Sequence, residues 1–333
     1  MSDELEITDT VGDDGSVYLM GPELRTAVDV ALATGRPLLL RGEPGSGKSS
    51  LAPFVAAEKR WRFYQHVVTA RTQAQDLLWT FDSVRRLADA QRRSEEQDSW
   101  RDFRYVEPGA LWWAYAPMSA KLRGSGGDEL PEEHHATDPR DAENSGREHG
   151  CSVLLIDEID KADPDLPNGL LVPLGAGEFE VTETRRRVRR ELPAAGAPDE
   201  PSKSSSHLVV VTTNEERELP EAFLRRCVVA WLPDSSVERL VEIALAHHRA
   251  EGTEPTAEDH ELAKALAKRL DEARLDARQN ARRAPSTAEL LDTYRACRRL
   301  GIGPHREAEW KWLLNLSLIK VQVDGADVPG HAY

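Results

Sequence analysis

Cysteine, long apolar runs and positive charge are what this sequence is short of. Its three cysteines, Cys151, Cys227 and Cys297, lie far apart, show no metal-ligand spacing and cannot all pair with one another. A disulfide framework is therefore not expected, and a reduced, cytoplasmic protein is. No stretch of about 18 apolar residues occurs, which removes the usual signature of a membrane-spanning helix. The first residues, Met1-Ser2-Asp3-Glu4-Leu5-Glu6, are acidic where a secretory leader is basic and then apolar. Lys and Arg number 43 against 58 Asp and Glu, a formal charge of −15. That balance opposes unspecific attraction of nucleic acid over the whole surface and leaves only local basic clusters to act against it.

What the sequence does have, at 333 residues, is length for about two domains and one stretch that organises the rest. Gly42-Glu43-Pro44-Gly45-Ser46-Gly47-Lys48-Ser49 fits G-x-x-x-x-G-K-[ST] at every fixed position. Pro37-Leu38-Leu39-Leu40 before it reads as a buried strand, and Ser49-Ser50-Leu51-Ala52 after it opens a helix, so the motif sits in the context it requires. Glycines let successive backbone N–H groups converge on phosphate oxygens, and the helix N-terminus adds favourable partial charge. Lys48 is expected to reach the β and γ phosphates of a nucleoside triphosphate, and the Ser49 hydroxyl to hold Mg²⁺.

Upstream, residues 1–17 read as a loose, acidic segment. Leu24, Val28 and Leu32 recur at spacings of four on a helix that ends near Gly35, and they face either the core or a bound base. Downstream, a helix from Ser49 to about Lys59 leads into a strand at Arg62–Val68. A long helix is expected over Ala74–Gln97, with Leu77, Leu78, Phe81, Val84 and Leu87 on one side. Phe103-Arg104-Tyr105-Val106 reads as a short hairpin arm ending at Pro108-Gly109, and helix resumes at Ala110–Tyr115, where Trp112 and Trp113 are expected in the core. Residues 119–150 are rich in Gly, Ser, His and acids and read as a flexible insertion. The same acidic composition accounts for His134, His135 and His149 without a metal site.

Ser152-Val153-Leu154-Leu155-Ile156 is apolar throughout and ends in Asp157-Glu158. Continuous apolarity means that both faces are covered, as in a parallel strand inside an α/β sheet. The two acids then project at the carboxyl edge, where ligands bind in such sheets. Asp157 suits Mg²⁺, and Glu158 suits orienting and deprotonating an attacking water. Combined with the phosphate loop, the pair points to hydrolysis of ATP and not to binding alone.

Those motifs, with Ile159-Asp160-Lys161-Ala162, Val209-Val210-Val211-Thr212-Thr213-Asn214 and Leu219-Pro220-Glu221-Ala222-Phe223-Leu224-Arg225-Arg226-Cys227, resemble an AAA+ ATPase, most of all the MoxR-type branch. The resemblance spans roughly residues 18–320, with its specific motifs between 38 and 227. It implies an α/β P-loop core with a parallel central sheet over residues 18–232, carrying flexible insertions at about 119–150 and 182–207, and a smaller all-α lid over 233–333. It also implies ATP and Mg²⁺ as cofactors. Gly42, Glu43, Pro44, Gly45, Ser46, Gly47, Lys48, Ser49, Ser50 and Asp157 would hold the nucleotide, Ser49 and Asp157 the metal. Glu158 and a polar sensor, Asn214, would handle the water. Arg226 or Arg225 would be an arginine finger reaching into a neighbouring subunit, usually of a six-membered ring.

Phe179–Thr184 reads as one hairpin arm, followed by Arg185, Arg186, Arg187, Arg189 and Arg190. In the family resembled, a hairpin here faces the ring pore. Without interleaved aromatics these arginines suit an acidic protein partner better than nucleic acid. From Pro233 onward the helices carry cap signals: Ser235 with Glu238, Ser286 with Glu289, and a stop at Gly301. The lid arginine of the MoxR pattern is replaced by Pro285-Ser286-Thr287, leaving Arg282 or Arg283 to substitute. The reading that results is an Mg-ATP-driven ring that remodels, matures or activates a protein partner. A nucleic-acid or defence-system ATPase using the arginine hairpin and a nucleotide-gated assembly switch are the alternatives.

Overall fold

The computed structural model describes residues 10–11, 17–92, 102–126, 130–191, 207–280 and 282–319. Of the loose N-terminal segment, Thr10–Val11 (β1) pairs with Val17–Tyr18 (β2), and the rest lies outside the described residues. Helix α1 (Pro22–Thr34) starts with proline at its first position and stops at Gly35, in the left-handed region at φ 65°. There follow β3 (Leu38–Arg41), α2 (Lys48–Lys59), β4 (Trp61–Val67), α3 (Ala74–Leu78), β5 (Trp79–Phe81), α4 (Ser83–Arg92), β6 (Val106–Pro108), α5 (Ala110–Tyr115), α6 (Pro117–Lys121), α7 (Asp141–Asn144) and β7 (Glu148–Asp157). After these come α8 (Asp165–Gly169), α9 (Leu171–Ala176), β8 (Glu178–Val181), β9 (Arg186–Arg189), β10 (His207–Thr213), α10 (Glu221–Leu224) and β11 (Val228–Trp231).

Five strands form one all-parallel sheet in the order β11-β3-β10-β7-β4. Period-two alternation divides its side chains between two faces. Leu38, Leu40, Val153, Leu155, Leu208 and Val210 pack beneath α1 and α2, whereas Leu39, Leu154, Ile156, Val209 and Val211 face α3, α5, α8 and α9. Burying both faces is what made β7 and β10 continuously apolar in sequence. The expected α/β core with a parallel sheet is thus present.

A third apolar cluster belongs to a helical C-terminal region: α11 (Val237–Ala250), α12 (Ala257–Gln279), α13 (Thr287–Leu300) and α14 (Glu307–Leu314). The capping box of Ser286 with Glu289 and the stop at Gly301 form as expected. At α11 the cap falls one residue later than expected: Ser236, not Ser235, accepts the N–H of Arg239 at 3.2 Å. Among the described residues no helix is long and apolar enough to cross a membrane.

Three expectations fail. The helix expected over 74–97 is cut after Leu78, where Trp79-Thr80-Phe81 extend and pair antiparallel with β6. Trp79 stacks on Phe179 with ring centroids 5.8 Å apart, and its indole N–H donates to Glu183 at 2.8 Å. That long-range packing outweighs local helical periodicity. Residues 103–105, expected as a hairpin arm, form a 3₁₀ turn, and the strand starts at Val106. The described parts of 119–150 are also built into the fold and do not form a loose loop. Asn144 is buried and accepts the Phe63 N–H at 2.8 Å, extending the edge of β4, while the Tyr64 hydroxyl donates to Asp138 at 2.9 Å. Polar anchors supply here the order that a count of apolar residues misses.

The hairpin β8–β9 forms as expected, so the insertion expected to be flexible over 182–207 is paired at Arg186–Arg189, while residues 192–206 lie outside the described residues; four of its five arginines are engaged at home. Arg187 and Arg189 pair with Glu178, Arg186 lies over the Phe103 ring and Arg190 over that of Tyr115.

Candidate functional site

The carboxyl edge of the sheet opens into a cleft of about 1090 Å³ between core and lid. Its floor is the loop joining β3 to α2. A Cβ on Gly42 would stand 2.4 Å from the Leu232 carbonyl oxygen, and one on Gly45 2.2 Å from the Ser286 Cβ, so both positions demand glycine. Gly45 also accepts the N–H of Thr287 at 3.3 Å, bringing the start of α13 down onto the loop. Lys48 is buried, with its ammonium donating to the carbonyls of Gly42 (2.7 Å) and Glu43 (2.8 Å). Burial pulls its pKa below the usual lysine value, and Asp157, foremost among four nearby carboxylates, pushes back.

At the loop's foot the Ser49 hydroxyl donates to Asp157 Oδ1 at 2.7 Å. The same oxygen accepts from the Thr212 hydroxyl at 2.6 Å. A hydroxyl and a carboxylate held this close are hard oxygen donors, and they fit a magnesium ion that keeps its remaining positions for water and phosphate.

Asp157 is the last residue of β7 and would share no face with Glu158 in a straight strand. Glu158 instead adopts φ 59°, a left-handed conformation costly for a residue with a Cβ. The turn leaves both carboxylates lining the cleft. The Glu158 N–H donates to Thr212 Oγ1 at 2.9 Å, and its carboxylate accepts from the Asn214 amide at 3.2 Å. Because β10 lies beside β7, with Val211 opposite Ile156, Thr212 comes alongside Asp157 and Asn214 alongside Glu158. Asp160, only 2% exposed, accepts the backbone N–H groups of Asn214 (3.2 Å) and Glu216 (2.9 Å) and fixes the loop that carries the Asn214 side chain.

Sequence reasoning gave no role to Thr212 or Asp160. The signal for Thr212 was available: polar residues follow the apolar run Leu208-Val209-Val210-Val211 at the end of β10. Thr212→Val keeps the shape, removes the donor to Asp157 and leaves the Glu158 N–H without its acceptor. It is expected to cost about 1–3 kcal/mol of stability, as buried polar groups left unpaired do, and to lower turnover. Denaturant unfolding beside a phosphate-release assay checks this, and a variant as stable and as active as the parent sinks it.

Arg225 and Arg226 are elsewhere. They precede β11, whose Val228 sits opposite Leu38 at the amino end of β3, whereas the phosphate loop leaves its carboxyl end. Four residues of strand, roughly 13 Å, separate the two ends, and neither arginine lines the cleft. Both are exposed. Arg225 pairs with Glu221 at 2.7 Å, and Arg226 donates to the Ala222 carbonyl at 2.9 Å. Arg282 and Arg283 do not line the cleft either. Arg283 pairs with Glu289 at 3.1 Å, and it is Arg239 of α11 that faces the cleft from the lid, donating to the Leu19 carbonyl at 2.6 Å.

The far end of the cleft is apolar, with Leu24 and Ala27 of α1 facing Ile243 and Leu291 of the lid. Val28 and Leu32 of the same helix are buried in the core. One helix thus turns Val28 and Leu32 into the core and lines the cleft with Leu24 and Ala27.

Residues 37–227 match the family described as AAA domain (dynein-related subfamily). Among solved structures the chain is similar to a RuvB mutant of Thermotoga maritima, at 15% identity and a TM-score of 0.37 over 83% of this chain and 68% of that one. It is also similar to NtrX from Brucella abortus, at 13% identity and a TM-score of 0.38, covering 74% of this chain and 46% of that one. No curated protein matches.

Proposed function

The chain belongs to the AAA domain family in its dynein-related subfamily, and from that premise we propose that it is a Mg²⁺-dependent ATPase whose sites are completed between subunits of a ring. The observation that carries the hydrolytic reading is the chain of contacts at the foot of the phosphate loop: Ser49 to Asp157, Asp157 to Thr212, Thr212 to Glu158, and Glu158 to Asn214. Binding alone needs only the loop.

The loop amides and the start of α2 cradle the phosphates. Lys48 exchanges its two carbonyl acceptors for phosphate oxygens. Ser49 and Asp157 would hold Mg²⁺, which when bound would neutralise phosphate charge. Glu158 orients the attacking water and takes its proton, and Asn214, now its hydrogen-bond partner, holds that water or releases Glu158 to do so. The lid closes on the loop through Thr287, excluding bulk water. Arg226 or Arg225 stands too far from its own site and serves the next one.

We place the chain in the MoxR-like branch and its output in remodelling or activating a protein partner. The four hairpin arginines engaged within their own fold lend little support to a nucleic-acid reading. Purified chain is expected to release phosphate from ATP only with Mg²⁺, to lose nucleotide binding on Lys48→Ala, and to gain mass as a ring when ATP is added. Absence of Mg²⁺-dependent turnover overturns the enzymatic reading. Nucleic-acid affinity that falls steeply with salt would favour the alternative.

A further inference from the structure

We infer that Arg36 is a positioning residue for the arginine pair, an assignment that rests on the finger reading above. Arg36 stands between the left-handed stop of α1 at Gly35 and the start of β3. Its guanidinium reaches across to the chain entering β11, where Nε donates to the Arg226 carbonyl at 3.1 Å and Nη2 to the Arg225 carbonyl. One planar fork therefore holds two successive peptide units.

Those two carbonyls need a partner. They close α10, a helix of four residues, and helix ends leave their last carbonyls unsatisfied, while so short a helix has little hold on its own geometry. The N–H groups of the same turn are already used: Arg225 to Glu221, Arg226 to Phe223, Cys227 to Leu224, all between 3.0 and 3.1 Å. Phe223 and Cys227 anchor the turn from behind, both buried. The face carrying Arg225 and Arg226 is exposed, and the peptide planes that aim their side chains are fixed from outside by Arg36.

A surface arginine ordinarily spends its charge on a carboxylate or on water. Arg36 makes no ion pair with a carboxylate among the described residues, and both its hydrogen bonds go to the pair that the site lacks. Its position adds a link between sites. Arg36 lies two residues before β3 and Gly42 one residue after it, and Leu38, Leu39 and Leu40 between them are fully buried. One rigid strand thus has the phosphate loop at one end and the clamp on the finger for the neighbouring site at the other.

The test compares Arg36→Ala, Arg36→Lys and Arg226→Ala in the full chain. Arg36→Ala is expected to lower kcat by about ten- to a hundredfold, the size of effect that misplacing a reacting group by about 1 Å produces. The KM for ATP and the unfolding midpoint should stay near those of the parent, and Arg36→Lys should recover part of the rate. A mixing experiment locates the defect. Chains carrying Glu158→Gln have a silent site but an intact finger and should restore turnover to Arg226→Ala chains. Chains carrying Glu158→Gln with Arg36→Ala should assemble to the same mass and fail to restore it. If Arg36→Ala turns over like the parent while Arg226→Ala is impaired, the inference is overturned, as it is if ATP affinity or stability falls in step with kcat. If Arg226→Ala is itself unimpaired, the finger reading falls first.

Discussion

Glu158→Gln is expected to cut ATP turnover by about a thousandfold, or about 4 kcal/mol at the transition state, the middle of the range for removing a general base, while Mg-ATP binding survives. Glutamine has the same shape, so the left-handed turn at residue 158 and the N–H bond to Thr212 persist. Its carbonyl oxygen still accepts from Asn214. What disappears is the basic oxygen that would receive a proton from water, and nothing nearby replaces it. Asp157 is committed to two hydroxyl donors. Asp160 is buried beneath the backbone of Asn214 and Glu216. Loss of a negative charge beside the phosphate loop should, if anything, tighten nucleotide binding, since Glu158 is among the carboxylates acting on Lys48. Phosphate release and fluorescent-nucleotide titration on the same preparation check both halves. Turnover within threefold of the parent would remove Glu158 from the chemistry, and parallel loss of binding would show that it holds nucleotide instead.

How much of this could be read beforehand depended on the range of the interactions. The phosphate loop was legible because its demands are local: glycines where a Cβ would collide, a lysine and a serine at the start of a helix. Strands β7 and β10 were legible because burial of both faces writes itself as unbroken apolarity. What escaped were features created by residues distant in sequence. Leu77, Leu78, Phe81, Val84 and Leu87 match helical spacing, yet Val84 and Leu87 are 79% and 62% exposed. The pattern was real, but the ladder of β5 with β6 claimed its middle. In 119–150, order rests on Asn144 completing the backbone bonds of β4, which no composition count reveals. Arg36 escaped for the same reason, since its partners lie nearly two hundred residues away. Arg225 and Arg226 were legible as a pair but not as remote from their own site, which only the register of β11 on β3 discloses.

That remoteness makes Arg226→Ala the sharper experiment. Turnover is expected to fall by about a thousandfold, within the range for an arginine that stabilises charge on a phosphoryl group in flight, with the affinity for ATP little changed because the contact strengthens only in the transition state. Arg225→Ala, tested beside it, should have the smaller effect, since Arg225 already pairs with Glu221 on its own helix while Arg226 spends its guanidinium only on a backbone carbonyl. In the head-to-tail ring proposed above, the two single defects, in site and in finger, would lie on opposite faces of a subunit. In an equal mixture of Arg226→Ala and Glu158→Gln chains, about a quarter of the interfaces would join an intact site to an intact finger. Turnover should therefore recover from near zero to roughly that fraction of the parent rate. A finger acting within its own subunit could not produce this, because every chain in the mixture is defective. A mixture as inactive as its components, in rings of normal mass, would mean that the arginine pair serves some purpose other than completing the neighbouring site.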